Sequence, residues 1–166
     1  MPAATPSQTV GPYFTLGLFA SRADELVEPT NAAAVRLTGR VLDGAGEPVP
    51  DAMVEIWQAD EDGCYRGDFG WGRSGCDTEG RYSLTTVKPG RVSEAAPHLV
   101  LMVFARGLPK PVLTRMYFPD EDEANAVDSV LSRLEDGSSL VARAVEGGYE
   151  FDVHLQGDDE TVFFAV

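Results

Sequence analysis

Residues 98–106, HLVLMVFAR, open on a histidine and continue through seven successive apolar side chains. A short run that is apolar on both faces reads as a strand buried on both sides, in the middle of a sheet. Such a strand needs neighbours, and the rest of the chain offers them. Residues 35–43 place Val35, Leu37 and Val41 on one face at period two, with Gly39 between and Arg36, Thr38 and Arg40 facing away. The turn-forming stretch GAGEPVP at 44–50 leads to a second alternating run at 52–58, and the pair reads as a hairpin. Residues 81–87 and 112–118 are further strands, as are 140–145 and 149–156 around Gly147-Gly148. In the last of these Tyr149, Phe151, Val153 and Leu155 alternate with Glu150, Asp152 and His154. Residues 162–166 read as a short closing strand or an anchored tail.

Helical signal is scarce. Val127, Val130, Leu131 and Leu134 make one apolar face, so a short helix is expected over 127–134, with Asp128 in its first turn. Residues 59–80 are rich in glycine and carry Tyr65, Phe69 and Trp71; they read as one long irregular excursion. Seven or more short strands and one helix point to an all-β, two-sheet β-sandwich with long loops. Residues 1–166 are expected to form one domain, with 1–30 as an N-terminal arm. That arm is punctuated by Pro6, Gly11, Pro12, Gly17 and Pro29, and Phe14, Leu16, Leu18 and Phe19 make it too apolar for a free tail.

Charge narrows the partners. The formal net charge is −14 and the pI about 4.4. Such a chain is a poor match for nucleic acid or an anionic membrane. It would also repel a small anion unless a local arginine inverted the field. No apolar stretch is long enough to cross a bilayer and the first residues do not form a secretory signal, so a cytoplasmic location is expected. Cys64 and Cys76 have no CxxC spacing and no histidine nearby, and read as reduced thiols rather than zinc ligands. No GxSxG, GxxxxGK[ST] or HExxH is present. Of the two histidines, His154 falls on the polar face of its strand, and His98 opens the central one.

Five stretches, taken in order, carry a resemblance. They are TPSQTVGPYF at 5–14, GRVLDGAGEPVPDAMVEIWQAD at 39–60, DTEGRYSLTTVKPG at 77–90, PHLVLMVFARG at 97–107 and RMYFPDE at 115–121. Together the chain resembles the intradiol ring-cleavage dioxygenases. Members of that family hold a non-haem Fe(III) with two tyrosines and two histidines. Phenolate oxygen is hard and anionic and favours ferric iron, while imidazole completes the shell. The resemblance places the family's His-x-His pair at His98 and Val100, so one histidine is lost. It places one tyrosine at Val92 and loses the other in the shortened 60–76 loop, where Tyr65 matches a non-ligand tyrosine.

By resemblance, then, this is the non-catalytic α chain of a heteromeric member, with Fe(III) bound by the partner β chain and higher assembly of αβ units. The implied reaction cleaves 3,4-dihydroxybenzoate with O2 to 3-carboxy-cis,cis-muconate. The implied pocket-lining residues are Thr9, Gly11, Pro12 and Tyr13 in the arm, and Arg133; Arg115 and Arg73 are secondary candidates. A self-sufficient enzyme is disfavoured by the lost ligands. A plain β-sandwich binding or carrier module is the alternative, because the 39–60 segment recurs in such modules.

Overall fold

The computed structural model describes residues 4–9, 11, 17–18 and 22–165. Among the described residues, nine strands form two sheets. The first sheet holds β1 (Ala34–Leu42), β4 (Arg81–Val87), β7 (Arg143–Val145), β8 (Gly148–Glu150) and β9 (Val153–His154). Its order is β4-β1-β8-β7, and β9 also pairs with β1. The second has the order β3-β2-β5-β6 and comprises β2 (Met53–Trp57), β3 (Trp71–Gly75), β5 (His98–Phe104) and β6 (Val112–Tyr117). The architecture is the all-β sandwich that the alternation called for.

Period two sets the core. Leu37 and Val41 of β1, and Tyr82 and Leu84 of β4, face Val54 and Ile56 of β2 and Leu99, Leu101 and Val103 of β5; all are buried. A smaller cluster of Ala96, Tyr117, Ala124 and Leu140 lies beside it, with Leu131 and Leu134 packed on top. Gly39 is where the first sheet closes up. A Cβ there would lie 1.9 Å from the Phe151 carbonyl oxygen, to which the buried Tyr82 hydroxyl donates at 2.6 Å. Between β8 and β9 the ladder on β1 is interrupted, because the Arg40 N–H donates to the Asp152 carboxylate at 2.8 Å instead of to backbone. One expected strand over 149–156 therefore becomes two short ones.

Four other expectations need correction. β1 and β2 are not a hairpin: they lie in different sheets. The 44–50 turn forms, but the chain pairs back on β1 only at Leu42 and Pro48 before crossing over. Within the 59–80 excursion, β3 pairs antiparallel with β2 over its whole length. The helix lies at Asp122–Val127 (α1), upstream of 127–134. Val127 is 67% exposed, and the downstream part is a single 3-10 turn at Leu131–Arg133. Asp128 explains the break. It leaves the helix in extended backbone (ψ 132°), and its carboxylate accepts from the N–H groups of Val130 and Leu131. Likewise the strand expected over 140–145 is shorter: Leu140 ends a 3-10 turn (Ser138–Leu140), and only Arg143–Val145 is strand.

Residues 23–26 join the sheets at one open side. The Arg73 N–H on β3 donates to the Ala23 carbonyl at 2.8 Å, and the Thr85 N–H on β4 donates to the Asp24 carbonyl at 2.8 Å. Both strands are sheet edges, so the segment satisfies backbone that would otherwise be open. A second tie is the buried Gln58 just after β2. Its amide donates to the carbonyls of Val87 (2.9 Å) and Ala59 (3.1 Å) and accepts from the Thr86 hydroxyl (2.7 Å). Gln58→Leu keeps the bulk but strands those partners. It is expected to cost about 1–3 kcal/mol, read as a lower urea midpoint at unchanged slope.

Candidate functional site

β5 divides its side chains between two environments. Leu99, Leu101 and Val103 enter the core. His98, Val100, Met102 and Phe104 point to the outer face of the second sheet. The His98 end of that face is covered. Tyr117 lies opposite His98 in the β5–β6 register, with ring centroids 5.6 Å apart and planes tilted by 37°. His98 Nδ1 is 2.8 Å from the Ala96 carbonyl, and the ring is buried. Burial lowers the His98 pKa, the Ala96 carbonyl and Asp128 work against that, and the Arg115 cation adds to it.

Asp128 organises the cover. It is fully buried, yet every side of its carboxylate has a donor. Oδ2 accepts from the Ala96 N–H at 3.0 Å. Oδ1 accepts from Val130 N–H (2.8 Å), Leu131 N–H (3.1 Å) and the Tyr117 hydroxyl (3.1 Å). Arg115 donates to the Tyr117 oxygen at 3.2 Å. Burial pushes the Tyr117 phenol up to about 12, against the pull of Arg115. Sequence reasoning passed over this network, having read Asp128 as an ordinary helix-start residue. The one signal available was an aspartate just ahead of the Val130-Leu131 amides that it caps.

The donor set here does not suit ferric iron. His98 is the one residue left of the expected four. Val100 stands on its strand between Trp57 and Arg115. Val92 sits in a tight turn, bridged to Ala95 (3.0 Å between the Ala95 N–H and the Val92 carbonyl), with Ser93 at φ 54°. The tyrosine packed on His98, Tyr117, stands at neither expected tyrosine position, and its hydroxyl is committed to Asp128 at 3.1 Å. Among the described residues no group of three or more His, Cys, Asp or Glu side chains could hold a metal.

The other site residues fall at two ends of the same face. Arg133 ends the 3-10 turn that Asp128 caps, so it belongs to the His98 end; its side chain is exposed. Thr9 lies at the opposite end, where its hydroxyl accepts from the Gly107 N–H at 2.9 Å, beyond the last residue of β5. Gly11 is half-buried with φ 77°. Pro12 and Tyr13 lie outside the described residues. This chain alone thus does not bring Thr9 and Arg133 around one pocket. Arg73 is committed to Glu55 at 2.5 Å. Between the two ends runs an open aromatic row: Trp57 and Trp71 are direct cross-strand partners, 40% and 45% exposed, and the Tyr65 ring lies parallel to Trp57 at 6.1 Å.

Residues 10–157 match the Dioxygenase family model. The α chain of protocatechuate 3,4-dioxygenase from Burkholderia cepacia is 42% identical, over 98% of this chain and 97% of that one. The chain belongs to the intradiol ring-cleavage dioxygenase family. The β chain of the same Burkholderia enzyme is also related, at 33% identity over 75% of this chain and 65% of its own length. Among solved structures, the dioxygenase domain of a dioxygenase–carbohydrate-binding protein fusion from Streptomyces sp. SirexAA-E superposes with a TM-score of 0.69. It is 27% identical and is matched over 93% of this chain and 99% of that one. The family is iron-dependent, which sets the donors around His98 apart from what the family's chemistry requires.

Proposed function

We propose that this chain is the non-catalytic α subunit of a two-chain Fe(III) protocatechuate 3,4-dioxygenase. In this reading a related β chain binds the iron, and the pair cleaves 3,4-dihydroxybenzoate with O2 to 3-carboxy-cis,cis-muconate. The observation that carries it is the set of residues at the expected ligand positions: His98 is present, but valines stand at 100 and 92 and the loop expected to hold the second tyrosine is short. Near-complete coverage by an α chain supports the same reading.

What the chain supplies is shape and charge. Arg133 projects from a turn fixed by Asp128, and serves as the partner for the substrate carboxylate at the β iron site. Thr9, Gly11, Pro12 and Tyr13 form a second wall of that pocket. The glycine lets backbone come close to a ligand. The exposed aromatic row and the apolar arm are the surfaces that meet the β chain, and αβ pairs assemble further.

Iron content and visible colour test the reading. The chain purified alone should be colourless and iron-free. Co-purified with an intradiol β chain, it should join a red complex whose iron follows the β chain. His98→Ala should leave that iron unchanged. Iron and colour in the isolated chain would mean a self-sufficient enzyme. Failure to associate with an intradiol β chain would favour a binding or carrier module.

A further inference from the structure

A cleft of about 910 Å³ opens on the other side of the molecule, where the outer face of β1 and β4 meets the edge of β3. Its floor holds an anomaly. Arg40 and Arg81 are direct cross-strand partners in the β1–β4 register, and both are exposed. Like charges placed opposite each other destabilise a sheet pair unless something neutralises them. Arg36 adds a third cation. Its Nε donates to Ser83 Oγ at 2.9 Å, and Ser83 pairs with Thr38, one side-chain row from the Arg40–Arg81 pair. Arg36 therefore leans toward the other two.

Acidic groups also line the cleft, but most are already engaged. Glu150 pairs with Arg143 at 2.7 Å, and Asp51 lies 3.1 Å from the Arg106 guanidinium, although neither of its buried oxygens accepts a hydrogen bond. Asp77 feels Arg81 and Arg40, yet its Oδ1 is taken by the N–H groups of Glu79 (2.8 Å) and Arg81 (2.9 Å). Asp24 at the rim is the one remaining lining acid. Arg36, Arg40 and Arg81 make no ion pair among the described residues, in a chain with 27 Asp and Glu against 13 Lys and Arg. Three guanidinium forks converging on one concave floor match planar carboxylates better than a point charge.

We propose that this cleft binds a small anion with two or more carboxylates. The ring-opened tricarboxylate released in the reaction proposed above is of this class. That link rests on the proposed function, whereas binding itself needs neither iron nor a β chain.

Isothermal titration calorimetry of the full chain at low ionic strength tests it, with citrate, inorganic phosphate and benzoate as probes. Citrate should bind saturably and more tightly than either of the others. Arg40→Gln with Arg81→Gln should weaken it by about tenfold or more, with a thermal melt no lower than wild type, because both side chains are exposed and their mutual repulsion is relieved. Arg40→Lys with Arg81→Lys, which keeps charge but not the forks, should recover only part of the affinity. Non-saturable citrate binding, an unaffected double Gln variant, or phosphate or benzoate binding as tightly as citrate would each overturn the proposal.

Discussion

Asp128→Ala is expected to destabilise the chain by about 3–5 kcal/mol. The carboxylate is fully buried and serves four donors: the N–H groups of Ala96, Val130 and Leu131, and the Tyr117 hydroxyl. Alanine leaves all four facing a cavity in a place water does not reach. Asp128→Asn keeps the volume but turns an amide N–H toward a donor, so a smaller loss of about 2 kcal/mol is expected. Urea denaturation at neutral pH separates the two. Burial alone would raise the Asp128 carboxyl, but the Leu131, Val130 and Ala96 amides and the Tyr117 hydroxyl outweigh it and hold the group below its ordinary value. The folded form thus prefers the ionised state more than the unfolded chain does. Its contribution is complete above about pH 4 and is lost as pH falls through the depressed folded value. His98 acts earlier in the same direction. Its folded pKa is lowered, so its contribution is present above about pH 6.5 and declines as acidification charges the unfolded imidazole first. Wild type should soften in these two stages, with the later one reduced in Asp128→Asn. A stability curve for Asp128→Asn that matches wild type at every pH would remove Asp128 from this role.

The sandwich was readable where one strand declares itself. Residues 81–87, 98–104 and 112–117 are β-branched or aliphatic runs bounded by turn residues, and each became a strand close to its expected limits. Partner choice was not readable from the same signals. β2 looks as good a partner for β1 as for anything else until burial on both of its faces is known. β3, Trp-Gly-Arg-Ser-Gly, has little intrinsic strand preference and is held by its pairing with β2. The helix was misplaced because apolar spacing at 127–134 was weighed without the aspartate inside it, whose side chain competes for the amides a helix would use. At the site, the resemblance pointed to Val92 and Val100 as positions where ligands are expected. The surroundings of His98 were not legible. A neutral phenol, a buried carboxylate and an arginine meet there from β6 and from the segment after α1, which are brought together by the fold and not by spacing.

Arg133→Ala, assayed in the iron-loaded αβ complex, is expected to lower kcat/KM for 3,4-dihydroxybenzoate by about 10–100-fold while iron and colour stay unchanged. A charge-assisted hydrogen bond to a carboxylate contributes about 1.5–3 kcal/mol, and each 1.4 kcal/mol is about a factor of ten. The structure gives reasons for a large effect. The guanidinium is exposed and makes no ion pair among the described residues, so it is available to a partner's pocket. Its backbone is fixed, since Arg133 N–H donates to the Val130 carbonyl at 3.1 Å and the turn begins on Asp128. The chain's charge of −14 also makes an uncompensated carboxylate unwelcome. Loss of packing alone would lower turnover of every catechol alike. Loss of a carboxylate partner spares those without one, so catechol itself should be turned over equally by wild type and variant, however slowly. Arg133→Lys should restore part of the rate, because it keeps the charge but not the planar pair of donors. Equal losses on both substrates, or no loss on either, would remove Arg133 from the substrate pocket.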